Sequence, residues 1–310
     1  MAKVLDGKVV IVTGAGRGVG RSEALYMAKE GAKVVVNDLG GGFDGAGNAT
    51  GPADEVVAEI KAAGGDAVAN YDSVSDFNGA KKIIDCAIEK FGQLNVVVNN
   101  AGILRDRMLF NMAEEEWDAV IAVHLKGTFN MVRHACAYWR EEHKAGRIHN
   151  GRLVNTVSDA GLLGNVGQAN YGAAKAGIAA FSLIVAAEMG RYAVTSNCIA
   201  PMARTRLTTD ATPQTASFMA APDSGFDKMN PDHMAPLIAF LASDKAQDIS
   251  GEVFRLVGNK VWMLRGWHTL DSYTKPEEAQ FTPDELDKAI HDINAKAPPK
   301  ENIQTILLGG

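Results

Sequence analysis

Between Lys8 and Ala28 the chain runs Lys-Val-Val-Ile-Val-Thr, breaks into Gly14-Ala-Gly-Arg-Gly-Val-Gly20, and resumes as Arg-Ser-Glu-Ala-Leu-Tyr-Met-Ala. A short apolar run, a glycine-rich break and a helix-forming stretch in that order specify strand, tight loop and helix. Gly14, Gly18 and Gly20 free the backbone to turn sharply and to approach a pyrophosphate, which then sits on unpaired amides at the helix N-terminus, where Val19 also lies. The spacing is G-x-x-x-G-x-G rather than G-x-G-x-x-G, with the same physical purpose. A loop that merely turns the chain is the plainer alternative. A second apolar run, Lys33-Val-Val-Val-Asn-Asp38, follows one helix later. It ends in a carboxylate placed to accept hydrogen bonds from an adenosine ribose and to repel a 2′-phosphate. The pair predicts NAD rather than NADP, with Arg17 as the one basic residue of the loop that argues the other way.

Apolar runs recur at 9–12, 34–36, 66–70, 95–98, 152–157, 195–199 and 251–257, with helical patterns between them. Seven strands alternating with helices predict an α/β fold with right-handed crossovers and a doubly wound parallel sheet, whose carboxyl edge binds the ligand. With 310 residues, 46% of them hydrophobic, the chain can bury one large core and needs no split of that core. We expect a cofactor-binding catalytic domain over 1–267 and an extension over 268–310. The net charge of −6, without a lysine or arginine run, argues against nucleic acid and against an anionic membrane surface. Neither a signal peptide nor a spanning segment is apparent, so a cytoplasmic place is expected. Cys86, Cys136 and Cys198 are scattered within apolar segments and read as buried free thiols, and the seven histidines show no ligand spacing, so no metal is expected.

Tyr171 and Lys175, in Gln-Ala-Asn-Tyr-Gly-Ala-Ala-Lys, are four residues apart, which on a helix places a phenol and an ammonium on one face. A free phenol titrates near pH 10, about three units too high for easy proton exchange at neutral pH, and a nearby cation offsets part of that. Ser158 follows the apolar run 152–157 and can present a hydroxyl to the same place. Alone, the Tyr-x-x-x-Lys pair also occurs on solvated helix faces.

Together, Thr13-Gly-x-x-x-Gly-x-Gly20, Asn99-Asn-Ala-Gly102, Ser158 and Tyr171-x-x-x-Lys175 resemble, in order and spacing, the short-chain dehydrogenase/reductase family. The resemblance implies a Rossmann-type seven-stranded parallel sheet in three αβα layers and a homodimer or homotetramer. It implies catalysis by Ser158, Tyr171 and Lys175. NAD would be held by Gly14, Arg17, Gly18, Val19, Gly20, Asp38, Asp72, Ser73, Asn100, Gly102, Tyr171, Lys175, Ala203, Thr205 and Arg206. Longer stretches are similar to the (3R)-hydroxyacyl-CoA dehydrogenase branch found in peroxisomal multifunctional enzymes. These are Asn37-Asp-Leu-Gly-Gly, Ala69-Asn-Tyr-Asp-Ser-Val, Asn99-Asn-Ala-Gly-Ile-Leu-Arg-Asp-Arg107, Val123-His-Leu-Lys-Gly and Gly164-Asn-Val-Gly-Gln-Ala-Asn-Tyr171. The implied reaction is hydride transfer between a secondary alcohol and NAD, with a 3-hydroxyacyl-CoA as the small-molecule substrate. A hydroxysteroid, or a catalytically idle NAD-binding redox sensor, is the alternative. In that mechanism Lys175 lowers the Tyr171 pKa and Ser158 bonds the substrate oxygen.

Two departures from the family pattern bear on the site. His124 stands where most relatives carry asparagine, either positioning a relay water or packing as a hydrogen-bonded helix residue. Pro201-Met202 replaces the usual Pro-Gly. Residues 205–230 lack a clean period and are read as a substrate lid or an ordinary surface excursion. Thr282-Pro-Asp-Glu285 has the form of a capping box, followed by an apolar stripe of Leu286, Ala289, Ile290 and Ile293 that covers either the chain's own domain or a partner subunit. The segment 258–267 is read as a subunit-contacting end.

Overall fold

The buried run Val9–Thr13 forms the first strand (β1), hydrogen-bonded between two others inside an eight-stranded sheet. The computed structural model describes residues 3–41, 51–205, 219–266, 269–276, 280–299 and 301. Two compact units are present, Met1–Leu264 and Arg265–Gly310. In the first, β1 is followed by α1 (Gly18–Lys29), β2 (Lys33–Asn37), α2 (Gly51–Ala62), β3 (Asp66–Asn70), α3 (Phe77–Phe91) and β4 (Val96–Asn99). Then come α4 (Glu114–Ile121), α5 (Gly127–Lys144), β5 (Arg152–Thr156), α6 (Asp159–Leu162), α7 (Ala169–Met189), β6 (Thr195–Pro201), α8 (Ala235–Ala242), β7 (Val253–Val257) and β8 (Lys260–Leu264).

The sheet order is β3-β2-β1-β4-β5-β6-β7-β8. Its strands are apolar on both faces because helices cover both faces. Val10, Val12, Val34, Val36 and Val98 pack in one layer with Met27 of α1 and Ile238 of α8. Val9, Ile11, Val35 and Val97, alternating with them, pack in the other layer with Ile83 of α3, Met131 and Trp139 of α5 and Val185 of α7. The chain reverses its direction of winding between β1 and β4, which opens a crevice at the carboxyl edge.

The expected seven strands become eight, and the eighth is antiparallel. Val257 pairs with Lys260 and Val253 with Leu264, so Gly258 and Asn259 are a two-residue hairpin loop, with Gly258 at φ +55° in the left-handed region that this turn requires. Part of the segment expected to meet a partner subunit is therefore an edge strand. Of the three cysteines, all free, only Cys198 is fully buried, while Cys86 and Cys136 are partly exposed. The stretch Ala169–Tyr192, which contains α7, is long and apolar enough by composition to cross a membrane. Here that helix packs on β5 and β6.

In the second unit, α9 (Pro283–Lys296) opens on the expected capping box: the Glu285 amide donates to Thr282 Oγ1 at 3.3 Å and the Thr282 amide to Glu285 Oε2 at 2.8 Å. Along its stripe Ala289 is buried, whereas Leu286 and Ile290 are exposed.

A buried polar chain ties three strands to α7. Asn99 Nδ2 donates to Asn155 Oδ1 at 2.8 Å, Asn155 Nδ2 donates to Ser182 Oγ at 3.2 Å and Ser196 Oγ at 3.3 Å, and the two serine hydroxyls lie 2.7 Å apart. Asn155 is fully buried, so Asn155→Leu orphans the Asn99 amide and takes one partner from each serine hydroxyl, which keep each other. Urea denaturation of this variant is expected to show a loss of roughly 2–4 kcal/mol. An unchanged midpoint would mean that the partners re-pair without Asn155.

Candidate active site

The glycine loop lies between β1 and α1, and its backbone is shaped by what surrounds it. Gly14 adopts φ +63°. A Cβ on Gly20 would collide with Gly14 O and Asn100 Nδ2, so no larger residue fits there. Asn100 Nδ2 donates to Thr13 O at 3.0 Å and Gly14 O at 3.1 Å, and the Asn100 and Ala101 amides donate to Thr13 Oγ1 at 3.0 and 3.1 Å. Asn100 thus lashes the end of β4 to the loop. Arg17, exposed, is the N-cap of α1 and gives no side-chain cap bond, which leaves first-turn amides for a ligand. Val19, in that turn, is buried.

Asp38, just past β2, accepts the Gly16 amide on Oδ2 at 2.8 Å and the Gly40 amide on Oδ1 at 2.6 Å. Each carboxylate oxygen keeps a lone pair, and the group is pinned beside the loop. Asp72 follows β3, with Oδ2 accepting from Asn70 Nδ2 at 3.0 Å, and Ser73 Oγ lies 2.8 Å from Ser75 Oγ. Across the crevice Ala203 is buried, and a Cβ on Gly18 would stand 3.3 Å from Thr205 Cγ2. Arg206 lies outside the described residues. An anion-ready helix terminus, a loop whose Gly14, Gly16 and Gly20 have no room for a Cβ and a fixed carboxylate at the next strand fit a dinucleotide.

Beside this cradle the fold assembles Ser158, Tyr171 and Lys175. Ser158 ends the β5 segment and caps α6, its Oγ accepting the Ala160 amide at 3.2 Å. Tyr171 and Lys175 share one face of α7, with Lys175 Nζ 5.5 Å from the Tyr171 ring centroid. Lys175 is 3% exposed and donates to Thr156 O at 2.6 Å. Tyr171 is half-buried. Burial pushes the phenol up to about 12, the Ser158 side chain draws it down, and the Asp106 carboxylate raises it. Burial lowers Lys175 to about 7.

Burial is the largest influence at both groups, and at Tyr171 it favours the neutral phenol.

His124 lies in a π-helical turn, Ala122–Lys126, where the α4–α5 run widens. It is buried, and its Nε2 lies 2.8 Å from Ile103 O and 3.1 Å from the Ile103 amide, while Nδ1 has no partner among the described residues. Burial, then Lys175, pushes its pKa down to about 3, so the ring is neutral. It meets the Tyr171 ring edge-on at 5.1 Å between centroids. These contacts describe a packed residue that touches Tyr171, and the unpartnered Nδ1 leaves the role of positioning a relay water open to it. Gly102 has no side chain because a Cβ there would collide with the His124 ring, so its place is against His124.

Three contributors were not singled out from sequence. Gln168 Nε2 donates to Asp106 Oδ2 at 2.8 Å, and buried Asn170 donates from Nδ2 to Arg105 O at 3.0 Å and Glu116 O at 3.1 Å. They join the loop after β4 to the start of α7. In the expected lid, residues 206–218 lie outside the described residues. On either side of them, an ion pair links Arg204 to Asp227, and the Arg204 amide donates to Met229 O at 2.6 Å.

A glycine-loop cradle and a Ser, Tyr and Lys constellation at the same sheet edge define a nicotinamide-dependent oxidoreductase. The short chain dehydrogenase family pattern matches residues 8–216, and the chain belongs to that family. It is 45% identical over 304 residues to hydroxyacyl-CoA dehydrogenase ChsB1 of Mycobacterium tuberculosis, covering 96% of this chain and 92% of that protein. It is 39% identical to peroxisomal multifunctional enzyme type 2 of Mus musculus, with 94% of this chain matching 38% of that longer protein. The crystal structure of a short chain dehydrogenase from Mycobacterium avium superposes with a TM-score of 0.85 at 50% identity, covering 97% of this chain and 99% of that one.

The buried ammonium yields a signed prediction. Lys175 titrates at 10.5 ordinarily and at about 7 when folded, so between these values the unfolded chain holds the extra proton. Stability therefore falls as pH drops through that window, and the penalty is complete below its lower end. Lys175→Met should raise the unfolding free energy of the cofactor-free protein at neutral pH by roughly 2–4 kcal/mol. The gain should shrink as pH rises toward 10.5. Denaturant melts across the pH range check this, and a pH-independent difference would contradict it.

Proposed function

We propose that the chain is an NAD-dependent dehydrogenase that oxidises a 3-hydroxyacyl-CoA, or reduces the corresponding 3-oxo ester. The observation that carries the reading is the convergence of Ser158, Tyr171 and Lys175 beside the glycine loop. The names of the relatives supply the substrate class. Bound NAD supplies the hydride acceptor and a positive ring charge. Ser158 holds the substrate hydroxyl oxygen, and Tyr171 as phenolate takes its proton while the hydride leaves the carbon. Lys175 fixes a cation under the phenol and presents N–H donors to a ribose. Asp38, held on both oxygens by backbone amides, supports NAD over NADP, since a 2′-phosphate would meet a fixed negative charge.

A panel of both enantiomers of short- and long-chain 3-hydroxyacyl-CoA esters and a hydroxysteroid, each with NAD and NADP, tests the proposal. We expect turnover of one acyl-CoA enantiomer, with NAD preferred at least tenfold in kcat/KM, a difference of about 1.4 kcal/mol. Tyr171→Phe should reduce kcat by roughly a hundredfold or more with NAD affinity retained. Turnover of the hydroxysteroid alone would replace the substrate, and unimpaired Tyr171→Phe would sink the mechanism.

We also infer a homo-oligomer. Exposed Phe77, Phe129, Leu183 and Ile184 on α3, α5 and α7, with the Phe77 and Phe129 rings 6.5 Å apart, support it. Light scattering should show the mass of Leu183→Glu fall below that of the parent. A parent that is already monomeric would reject the inference.

A further inference from the structure

Arg255 lies on β7, paired with Ala200 of β6 on one side and Trp262 of β8 on the other, and its side chain is 3% exposed. Its Nε donates to Asp159 Oδ1 at 2.7 Å, and Nη2 stands 2.7 Å from the same oxygen at an angle that leaves it without a hydrogen-bond partner among the described residues. Asp159 is itself buried. A guanidinium and a carboxylate enclosed together cost desolvation at both ends, and well-packed apolar residues in their place are often as stable or more so. Stability therefore does not account for the pair. What does is its address: Asp159 is the residue after Ser158 and opens α6, the turn that Ser158 caps.

We propose that Arg255 is a positioning residue for the hydride-transfer site, acting through Asp159 to fix the Ser158 hydroxyl opposite Tyr171. The clamp holds α6 to β7 and so sets the backbone that carries Ser158. Because Ser158 Oγ accepts the Ala160 amide at 3.2 Å, its proton is directed away from α6. The same turn registers the other catalytic helix: a Cβ on Gly161 would stand 2.7 Å from Lys175 Cβ, so α6 lies directly against α7 at Lys175. A shift of about 1 Å at such a distance from the chemistry can cost up to a hundredfold in rate.

The proposal rests on the reading of this site as a hydride-transfer site, so the test includes a measurement that needs no substrate. The pair is exchanged for apolar residues in the double variant Asp159→Leu with Arg255→Leu, and the variant is compared with the parent, Ser158→Ala and Tyr171→Phe. We expect the melting temperature and the KM for NAD to be retained while kcat on the 3-hydroxyacyl-CoA falls at least roughly tenfold. In the NAD complex, ultraviolet difference absorbance follows the Tyr171 phenolate, with Tyr171→Phe as the blank. The groups facing that phenol are Ser158, Asp106, His124 and Lys175. Since Ser158 draws its pKa down, the double variant should move the midpoint upward, in the same direction as Ser158→Ala.

A folded double variant with parental kcat and a parental Tyr171 midpoint overturns the proposal. If the parent turns over no acyl-CoA ester, the functional reading fails and the Tyr171 midpoint alone decides this one. Should the double variant not fold, Arg255→Lys keeps the charge but loses the planar fork, and it is read by the same two measurements: a lowered kcat and raised midpoint at parental melting temperature support the proposal, and parental values overturn it.

Discussion

An ammonium enclosed in a protein interior with a main-chain carbonyl as its nearest partner is an expensive arrangement, and the catalytic edge of this fold is organised around one. Lys175 is 3% exposed and donates to Thr156 O at 2.6 Å. Its depressed pKa, about 7, expresses the cost of removing that charge from water. The helix that carries it is fastened on two sides. The Asn99, Asn155, Ser182 and Ser196 chain fastens that helix to three strands, and α6 abuts it at Lys175 itself. Stability given up at one side chain is recovered in the buried polar chain and the two apolar layers beneath it.

The sheet makes the convergence possible. Parallel strands end at one edge, so the tips of β1, β2, β4 and β5 deliver the glycine loop, Asp38, Asn100 and Ser158 to a common crevice without any loop having to reach far. The cradle and the chemistry share a wall: Asn100 holds the glycine loop from the end of β4, and two residues later Gly102 leaves room for His124, whose ring touches Tyr171. Binding and catalysis are thus separated by a few residues of one β-strand end.

Much of this was legible in sequence because backbone requirements leave marks in composition. A glycine where no Cβ fits, valines alternating between two helix layers and a phenol four residues before an ammonium each follow from local geometry. The eighth strand is also legible, since Gly258-Asn259 between two apolar runs is a hairpin signal. What could not be read was what depends on tertiary enclosure. The widened turn that carries His124 has no composition of its own, and Asp106 reaches the site only because Gln168 and Asn170 draw its loop to α7. The sign of the Tyr171 shift belongs to the same class. Spacing brings Lys175 to the phenol, yet whether attraction or desolvation prevails depends on how much water the fold removes.

That last point bears on how the site works. With the phenol pushed up to about 12 and the ammonium down to about 7, the protein alone does not hold a phenolate and an ammonium together at neutral pH. Positive charge brought into the crevice would favour the loss of the Tyr171 proton, which Asp106 opposes. Ser158 is the one neighbour that already favours it. A site arranged in this way keeps its base neutral until the charged partner arrives, and the position of the Ser158 hydroxyl then decides how much of the remaining work falls to the protein.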